Sequence, residues 1–338
     1  MAVSVKDVAK LAGVSVGTVS NVLNRPTGVR PQTRERVEGA IAQLGFIRND
    51  SARQLRAGRS RMIGYVVLDA ANPFFTDVAR GIDEGARAEG LVLFLADSHQ
   101  DADREDQFLE QFLEQRVRGV CITPVDSGNR RLLSLAERGV PVVMVDRAPA
   151  SQEDRWCSVG VDDVLGGELA ARHLLDLGHE RIAYAGDSRR LPQSVDRLAG
   201  VRRALASRGM DEDHGVVLHT EGMRVADGRS AAARLLALPR RRRPRAVVCG
   251  NDLLALGVLQ QVIGQGLRVP ADVAIVGYDD IEFAAAAAVP LTSVVQPRLE
   301  LGRAAARLLL REEDEGPGHV HEHVSFEPAL VVRASTVG

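Results

Sequence analysis

The first 47 residues of the chain carry apolar side chains at the spacing of helices. After Ser4, which has the pattern of a capping box with Asp7, apolar residues recur at i, i+3, i+4 and i+7 up to Gly13. Ser15 is placed to cap a second helix. The apolar positions that can pack the two helices together are Val5, Val8, Ala9, Ala12, Val19, Val22 and Leu23. The pattern predicts two helices joined by a tight turn, a helix-turn-helix.

A third helix is predicted between Pro31, which suits a first helical turn, and Gly45, which can end a helix. Its apolar face consists of Val37, Ala40, Ile41 and Leu44. The stretch from Gly13 to Gly17 also fits Gly-x-Ser-x-Gly, the nucleophile elbow of hydrolases. An elbow needs a buried strand before the serine, whereas a helix is predicted before Ser15. The pattern therefore favours a three-helix head over a catalytic serine.

From Met62 onward, short apolar runs alternate with amphipathic stretches. Nine runs have the length of buried strands, and they begin at Met62, Leu91, Gly119, Pro141, Arg181, Gly215, Arg245, Val273 and Leu291. Helical patterns between them include 76–89, 101–115 and 164–177. This alternation predicts an α/β fold with parallel sheets. Since no run is followed by G-x-G-x-x-G and no Walker sequence occurs, a nicotinamide or nucleoside-triphosphate enzyme has little support, and no cofactor is expected.

The net charge of −2 conceals an uneven distribution. Residues 1–61 carry a balance of +7, and the remaining residues a balance of −9. A basic head suits a polyanion, so DNA binding is favoured over a merely structural bundle. No apolar stretch approaches the roughly 18 residues of a membrane span, and the start of the chain lacks a secretion signal pattern. We therefore expect a soluble cytoplasmic protein without membrane contact.

The segment 48–61 connects the head to the rest of the chain. It includes the stretch NDSARQL, which can form only a short helix, and a helix below about 12 residues is marginal alone in water. Leu55 could act as a wedge between base steps in the minor groove. Arg53, Arg56, Arg59 and Arg61 could contact phosphates. The alternative is an ordinary flexible linker.

Six stretches resemble the lac repressor and galactose repressor family of bacterial transcription regulators. They are VKDVAKLAGVSVGTVSNVLN, TRERVEGAIAQLGF, NDSARQL, RLAGVRRAL, GNDLLALGVL and VPADVAIVGYDD, and in this order they span nearly the whole chain. The resemblance implies a helix-turn-helix domain at 1–47, a hinge helix and linker at 48–61, and an effector-binding and dimerisation domain at 62–338. That domain would consist of two Rossmann-like lobes of the periplasmic-binding-protein type, joined by three crossovers. The lobes are expected at about 62–160 with 297–322, and at about 161–296 with 323–335.

The same resemblance implies which residues contact DNA. Val16, Gly17 and Asn21 would face the bases, and Leu55 would be the hinge wedge. Asn21 can pair with N7 and N6 of adenine and Val16 can touch a thymine methyl group, whereas Gly17 has no side chain with which to read a base. The other expected DNA contacts are Ser4, Ser15, Thr18, Ser20, Asn24, Thr33 and Arg53.

Polar side chains follow many of the predicted strands, at the edge where open α/β sheets bind ligands. They are Asp69, Asp97, Asp146, Asn251 with Asp252, and Asp279 with Asp280. Each alone could simply cap the next helix. With Arg197, whose guanidinium can donate to two oxygens, they favour a small ligand that bears several hydroxyl groups. The resemblance implies that the effector is contacted by Asp146, Arg197, Asn251 and Asp279. It also implies that Phe74, Phe75 and Gln296 form another part of the wall of the effector site.

A sugar effector is therefore favoured. A purine-type or other non-sugar effector is the alternative, because purine repressors share the architecture and Met223 stands where characterised relatives place an aromatic ring. A sugar-binding protein without a DNA role is a further alternative, which the basic head disfavours. We expect a repressor rather than an enzyme, bound to a palindromic double-stranded operator and released by its effector. A homodimer rather than a tetramer is expected, because no leucine heptads, which could join two dimers, follow the last apolar run.

Two other features carry less weight. The three cysteines, Cys121, Cys157 and Cys249, lack metal-ligand spacing and lie in apolar runs, so no chemistry is assigned to them. His319, His321 and His323 alternate as on one face of a strand, a geometry that could hold a metal. Their position in an acidic connection with Gly and Pro residues favours no metal site.

Overall fold

The computed structural model describes residues 3–46, 60–126, 128–147, 155–187, 189, 191–210 and 214–337. The chain divides into two compact units, Met1–Arg59 and Ser60–Gly338. Within the described ranges no helix is both long and apolar enough to cross a membrane.

The first unit contains α1 (Val5–Ala12), α2 (Val16–Asn24) and α3 (Pro31–Leu44). The backbone N of Ser4 donates to Asp7 Oδ2 at 2.9 Å and the N of Asp7 donates to Ser4 Oγ, which completes the predicted capping box. Gly13 ends α1 at φ 61°, a left-handed conformation that suits glycine. The core consists of Val8, Ala9, Ala12, Val19, Val22, Val37, Ala40 and Phe46. The predicted helix-turn-helix is confirmed, and a helix rather than a strand precedes Ser15.

The second unit contains two sheets, each with six strands in the described residues. The first sheet has the order β11-β5-β4-β3-β1-β2, and all its pairs are parallel. Its strands are β1 (Met62–Val67), β2 (Val92–Asp97), β3 (Gly119–Ile122), β4 (Val142–Val145), β5 (Cys157–Val161) and β11 (His323–Phe326). The second sheet has the order β12-β10-β9-β8-β6-β7, and only its β10–β12 pair is antiparallel. Its strands are β6 (Ile182–Gly186), β7 (Gly215–His219), β8 (Ala246–Cys249), β9 (Ala274–Asp279), β10 (Thr292–Val295) and β12 (Ala329–Val331).

Helices follow most of these strands. They are α4 (Pro73–Ala88), α5 (Ala102–Glu114), α6 (Arg130–Glu137), α7 (Asp163–Asp176), α8 (Pro192–Ser207), α9 (Val225–Ala237), α10 (Asp252–Gly264), α11 (Glu282–Ala285) and α12 (Arg298–Glu315). The nine strands predicted from apolar runs are confirmed. Strands β5, β11 and β12 were not predicted, because polar or glycine residues interrupt β5 and β11 and because β12 has only three residues.

In the described residues the chain passes between the two sheets three times, after β5, after β10 and between Phe326 and Ala329. The predicted last boundary, which assigned 323–335 to the second lobe, is therefore wrong for β11. This strand pairs with β5, His323 opposite Ser158, and the N of Ser158 donates to the O of Glu322 at 3.0 Å. Below, the first lobe means the first sheet with α4–α6 and α12, and the second lobe the second sheet with α7–α11.

Helices α7 and α8 pack with their backbones in direct contact. A Cβ atom on Gly167 would lie 2.0 Å from the backbone oxygen of Arg197, and one on Gly200 would lie 2.0 Å from that of Val164. Only glycine permits this approach, since real Cβ contacts are never so short. The close crossing fixes the start of α7 against Arg197 on α8, at the edge of the second sheet that faces the first.

Candidate functional site

A crevice lies between the carboxyl edges of the two sheets. It contains about 510 Å³ of empty space, which includes open solvent at its mouth. The lining residues are Leu68, Asp69, Asn72, Phe74, Phe75, Gln100, Asp146, Leu191, Gln193, Ser194, Arg197, Met223, Asn251 and Asp279. Open α/β sheets bind ligands at this edge, because the loops that follow parallel strands meet there.

Arg197 on α8 is the central cation of the crevice and is 5 % exposed. Its Nε donates to Asp163 Oδ1 at 2.7 Å, and its Nη1 donates to the O of Gly250 at 2.6 Å. The same Nη1 lies 4.0 Å from Asp279 Oδ1, and the guanidinium carbon lies 3.8 Å from the centre of the Tyr278 ring. Burial alone would lower the pKa of Arg197, but the neighbouring acidic groups, Asp163 foremost, raise it well above its ordinary value. The guanidinium is therefore a fixed positive charge.

Asp146 follows β4 and faces this cation from the first lobe. Its Oδ2 accepts a hydrogen bond from Gln193 Nε2 at 3.0 Å. Its Oδ1 is buried and has no hydrogen-bond partner among the described residues. Burial and the charge of Asp163 raise the pKa of Asp146 well above its ordinary value, against the opposing charge of Arg197. A buried acceptor without a partner is rare and costly, which marks this atom as a contact point for a ligand or water.

Asp279 ends β9 and contributes a second buried carboxylate. Its Oδ1 accepts from Gln296 Nε2 at 2.7 Å, and its Oδ2 accepts from Asn72 Nδ2 at 3.3 Å. Burial raises its pKa to about 6, although Arg197 acts in the opposite direction. The backbone φ of Asp279 is 99° and that of Asp146 is 58°. Both residues are thus held in left-handed backbone conformations, which non-glycine residues adopt mainly at functional sites and turns.

In the part of the chain that the structure describes, the hydrogen bonds that connect the two lobes at the crevice include three side-chain pairs. Each joins one residue from each lobe, and the pairs are Asn72–Asp279, Asp146–Gln193 and Asp69–Arg224. The Asp69–Arg224 pair is a salt bridge of 2.8 Å with a buried carboxylate. Sequence reasoning did not assign Asn72, Gln193 or Arg224 to the site. The position of Asn72 before Pro73 could suggest that it caps α4. Its hydrogen bond to Asp279 joins residues 207 positions apart, so the neighbouring sequence does not indicate that contact.

The side chains of two expected effector contacts are hydrogen-bonded within the protein. Asn251 lines it, but its Oδ1 caps α10 by accepting from the N of Leu254 at 2.9 Å, and its Nδ2 donates to the O of Met223 at 3.0 Å. Gln296 is not among the lining residues, and it holds the carboxylate of Asp279. Both side chains therefore position neighbouring groups in the described structure.

Phe74 and Phe75 line the crevice as expected, with ring centroids 5.1 Å apart at an interplanar angle of 81°. This apolar wall beside polar groups suits a ligand ring that carries both C–H and polar substituents. The other strand-end acids have different partners. Asp97 bonds to His99, Asp252 accepts from the hydroxyl of Ser293, and Asp280 pairs with Arg333.

In the first unit, α2 has one buried and one exposed face. The exposed residues among the expected DNA contacts are Ser4, Ser15, Val16, Gly17, Asn21 and Asn24, with Thr18, Ser20 and Thr33 half-buried. Some of these side chains also serve the fold, since Ser15 Oγ accepts from the N of Thr18 at 3.1 Å and Asn24 Nδ2 donates to the O of Ser20 at 2.8 Å. The hydroxyl of Ser4 donates to Asp7 Oδ2 at 2.6 Å. The major groove of B-DNA is wide enough to admit an α-helix, so the exposed face of α2 can reach base edges there.

Arg53 and Leu55, with the rest of the expected hinge helix, lie outside the described residues. Arg61 lies within them. Its Nε donates to the O of Gly90 at 2.8 Å within the second unit, and its phosphate contact stays a prediction.

Two family models match the chain, the bacterial regulatory proteins of the lacI family over residues 4–49 and the periplasmic binding protein-like domain over residues 171–336. The HTH-type transcriptional repressor PurR of Aliivibrio fischeri (strain MJ11) is 32 % identical over 336 residues, which cover 99 % of this chain and 98 % of that protein. The ribose operon repressor of Escherichia coli (strain K12) is 34 % identical over 335 residues, which cover 98 % of this chain and 99 % of that protein.

A solved structure of the lac repressor dimer bound to operator and the anti-inducer ONPF matches with a TM-score of 0.83 and 28 % identity, and it covers 100 % of both chains. The relatives named here are repressors, not enzymes. The helix-turn-helix head, the two lobes and the similarity over the whole length point to the same family. This chain belongs to the lacI family of bacterial DNA-binding transcription regulators.

Proposed function

We propose that the protein is a transcriptional repressor that binds a palindromic operator as a homodimer and responds to a sugar bound between its lobes. The observation that carries the effector class is the buried Asp146 Oδ1, which has no hydrogen-bond partner within the described ranges and lies in a crevice that also holds the charged Arg197. Asp279 adds a second carboxylate on the opposite lobe.

A hydroxyl group suits this set of atoms, because it can donate to a carboxylate and accept from a guanidinium at once. Several adjacent hydroxyls could use Asp146, Asp279 and Arg197 together, and charge-assisted hydrogen bonds of this kind are the stronger ones. The Phe74–Phe75 pair would cover the apolar faces of a sugar ring. A sugar therefore matches both the polar and the apolar part of the crevice.

The effector would act by changing the population of lobe arrangements. Its contacts come from both lobes, so it binds the closed and open arrangements with different affinity, as any ligand-driven shift requires. We propose that sugar binding favours the arrangement with low operator affinity and releases the DNA.

The exposed face of α2 would enter the major groove. In this proposal Val16, Gly17 and Asn21 face the bases, and Leu55 inserts into the minor groove from the hinge. The residues proposed to contact the DNA backbone are Ser4, Ser15, Thr18, Ser20, Asn24, Thr33 and Arg53.

A thermal-shift screen of the full-length protein against sugars, sugar phosphates and nucleobases tests the effector class. A sugar at about 100 times its dissociation constant should stabilise the effector-binding unit by about 2.7 kcal/mol, which corresponds to a rise in Tm of about 5 °C or more. The same sugar should weaken binding to an operator fragment from the protein's own promoter region, measured by fluorescence anisotropy. Stabilisation by a nucleobase alone, without any response to sugars, would contradict the sugar assignment.

A further inference from the structure

Four side chains of metal-binding type meet at the amino-terminal edge of the first sheet. Cys157 begins β5, Glu312 lies near the end of α12, and His319 and His321 lie in the connection from α12 to β11. One potential ligand atom from each residue lies within 4.8 Å of all the others. The effector crevice is at the opposite end of the strands, so effector binding does not account for this cluster.

The distances within the cluster are close to those of a tetrahedral zinc site. Cys157 Sγ lies 3.1 Å from His319 Nε2 and 3.8 Å from His321 Nδ1, and the latter atom lies 3.9 Å from Glu312 Oε2. Zinc bonds of about 2.3 Å to sulfur and about 2.0 Å to nitrogen or oxygen place neighbouring ligand atoms about 3.3–3.6 Å apart. Shifts of a few tenths of an ångström to about one ångström would bring the four atoms to this geometry.

A carboxylate outside the cluster orients one of the imidazoles. His319 Nδ1 lies 2.7 Å from Glu315 Oε2, and the imidazole side chain is 2 % exposed. A proton shared with Glu315 at Nδ1 leaves Nε2 as the acceptor that faces Cys157 Sγ. Metal-binding histidines almost always have such a partner on the other ring nitrogen, because it fixes the tautomer and the ring orientation.

Glu312 supplies a buried oxygen that suits a cation. Its Oε2 accepts no hydrogen bond from the described residues. A divalent cation would pair with this oxygen and with the thiolate of Cys157, both of which are costly to bury alone.

We propose that Cys157, Glu312, His319 and His321 bind one zinc ion, through Sγ, Oε2, Nε2 and Nδ1 respectively. A thiolate with two imidazoles disfavours magnesium and calcium, which prefer oxygen ligands, and a four-ligand set of this composition favours zinc. Because the protein fills all four positions, the site is structural rather than catalytic. It ties the end of α12 and the connection after it to the sheet edge.

This assignment departs from the expectation of no metal site and of chemically inert cysteines. Two of the three alternating histidines, His319 and His321, belong to this cluster. The third of them, His323, is not part of the cluster, since its Nδ1 lies 2.8 Å from Ser158 Oγ. Cys157 joins the cluster only because β5 and the connection to β11 are neighbours in the sheet.

Cobalt substitution of the full-length, chelator-treated protein tests the site. Four-coordinate Co²⁺ with a thiolate ligand has visible d–d bands and a thiolate-to-cobalt charge-transfer band in the near ultraviolet. We expect both to saturate at one Co²⁺ per chain and to disappear when Zn²⁺ is added. No saturable band, or bands that Zn²⁺ does not displace, would overturn the proposal.

Variants assign the ligands. Cys157→Ser should abolish the charge-transfer band, His321→Ala should weaken Zn²⁺ binding at least about 10-fold, and Glu315→Gln should weaken it about 10- to 100-fold by loosening His319. His323→Ala is the matched control, a neighbouring histidine outside the cluster, and should bind as the wild type does. At the same Zn²⁺ concentration, the Tm of the wild type and of the control should rise more than that of His321→Ala. An unchanged Tm of His321→Ala without Zn²⁺ would separate the loss of binding from a loss of folding. A charge-transfer band that persists in Cys157→Ser, or equal loss in the control, would refute the assignment.

Discussion

Asp146 offers a direct test of the effector crevice, since one of its carboxylate oxygens serves the fold and the other does not. In Asp146→Asn the amide oxygen can still accept from Gln193, while an NH₂ group replaces the oxygen without a partner. An effector hydroxyl that donates to the carboxylate would then face another donor. A hydrogen bond to a charged group is worth about 1.5–3 kcal/mol, so effector affinity should fall about 10- to 150-fold.

The free energy of unfolding should not fall in this variant. Burial, followed by the charges of Asp163 and Asp279, raises the pKa of Asp146 against the opposing charge of Arg197. Removal of one carboxylate from this group relieves repulsion, and the fold loses no hydrogen bond. Operator affinity without effector should therefore stay within about twofold of the wild type, because the substitution is confined to the crevice.

Isothermal titration calorimetry with the sugar found by the thermal-shift screen measures the effect. Asp97→Asn is the matched control, because Asp97 also ends a strand at the carboxyl edge of the first sheet but bonds to His99 away from the crevice. Effector affinity within threefold of the wild type in Asp146→Asn, or an equal loss in Asp97→Asn, would refute the role of the buried oxygen.

Three further predictions concern the head, the packing of the second lobe and the pH dependence. Asn21→Ala should lower specific operator affinity about 5- to 150-fold, because a bidentate base contact is worth about 1–3 kcal/mol. Gln43 is exposed on α3, and the control Gln43→Ala should change operator affinity less than threefold. Fluorescence anisotropy measures both affinities. Gly200→Ala should destabilise the protein to urea by about 1–3 kcal/mol, because its Cβ would overlap α7, while Gly264→Ala, with open space around it, should stabilise it by about 0.5–1 kcal/mol. The pKa of Asp279, raised by burial to about 6, means that the folded state binds this proton more tightly than the unfolded chain. Its contribution to the free energy of unfolding is therefore lost as the pH rises through about 6. Effector affinity should increase by up to about tenfold per pH unit between pH 5 and 6, because the carboxyl group of Asp279 ionises and becomes a better acceptor. An effector affinity that does not change with pH in calorimetry would contradict this linkage.

The sequence by itself determined the features that depend on neighbouring residues. The helices of the head follow from apolar spacing, from the capping box at Ser4 and from the glycines that end α1 and α3. Seven of the nine predicted strands are mostly buried, and a strand buried on both faces needs nearly continuous apolar side chains. The edge strands β2 and β7 also have apolar runs, although they are partly exposed. The same local reasoning separated Ser15 from a hydrolase nucleophile, since the residues before it have helical spacing.

Only the tertiary structure decided which polar atoms have partners. Asp252 and Asp279 both stand at strand ends and look alike in the sequence, yet the first bonds within the second lobe and the second faces the crevice. The short strand β11 belongs to the first lobe because its backbone pairs with β5, and that pairing also brings Cys157 to His319, 162 residues later. Hydrogen bonds and ion pairs depend on distances of a few ångströms between residues far apart in the chain, and no local pattern records those distances.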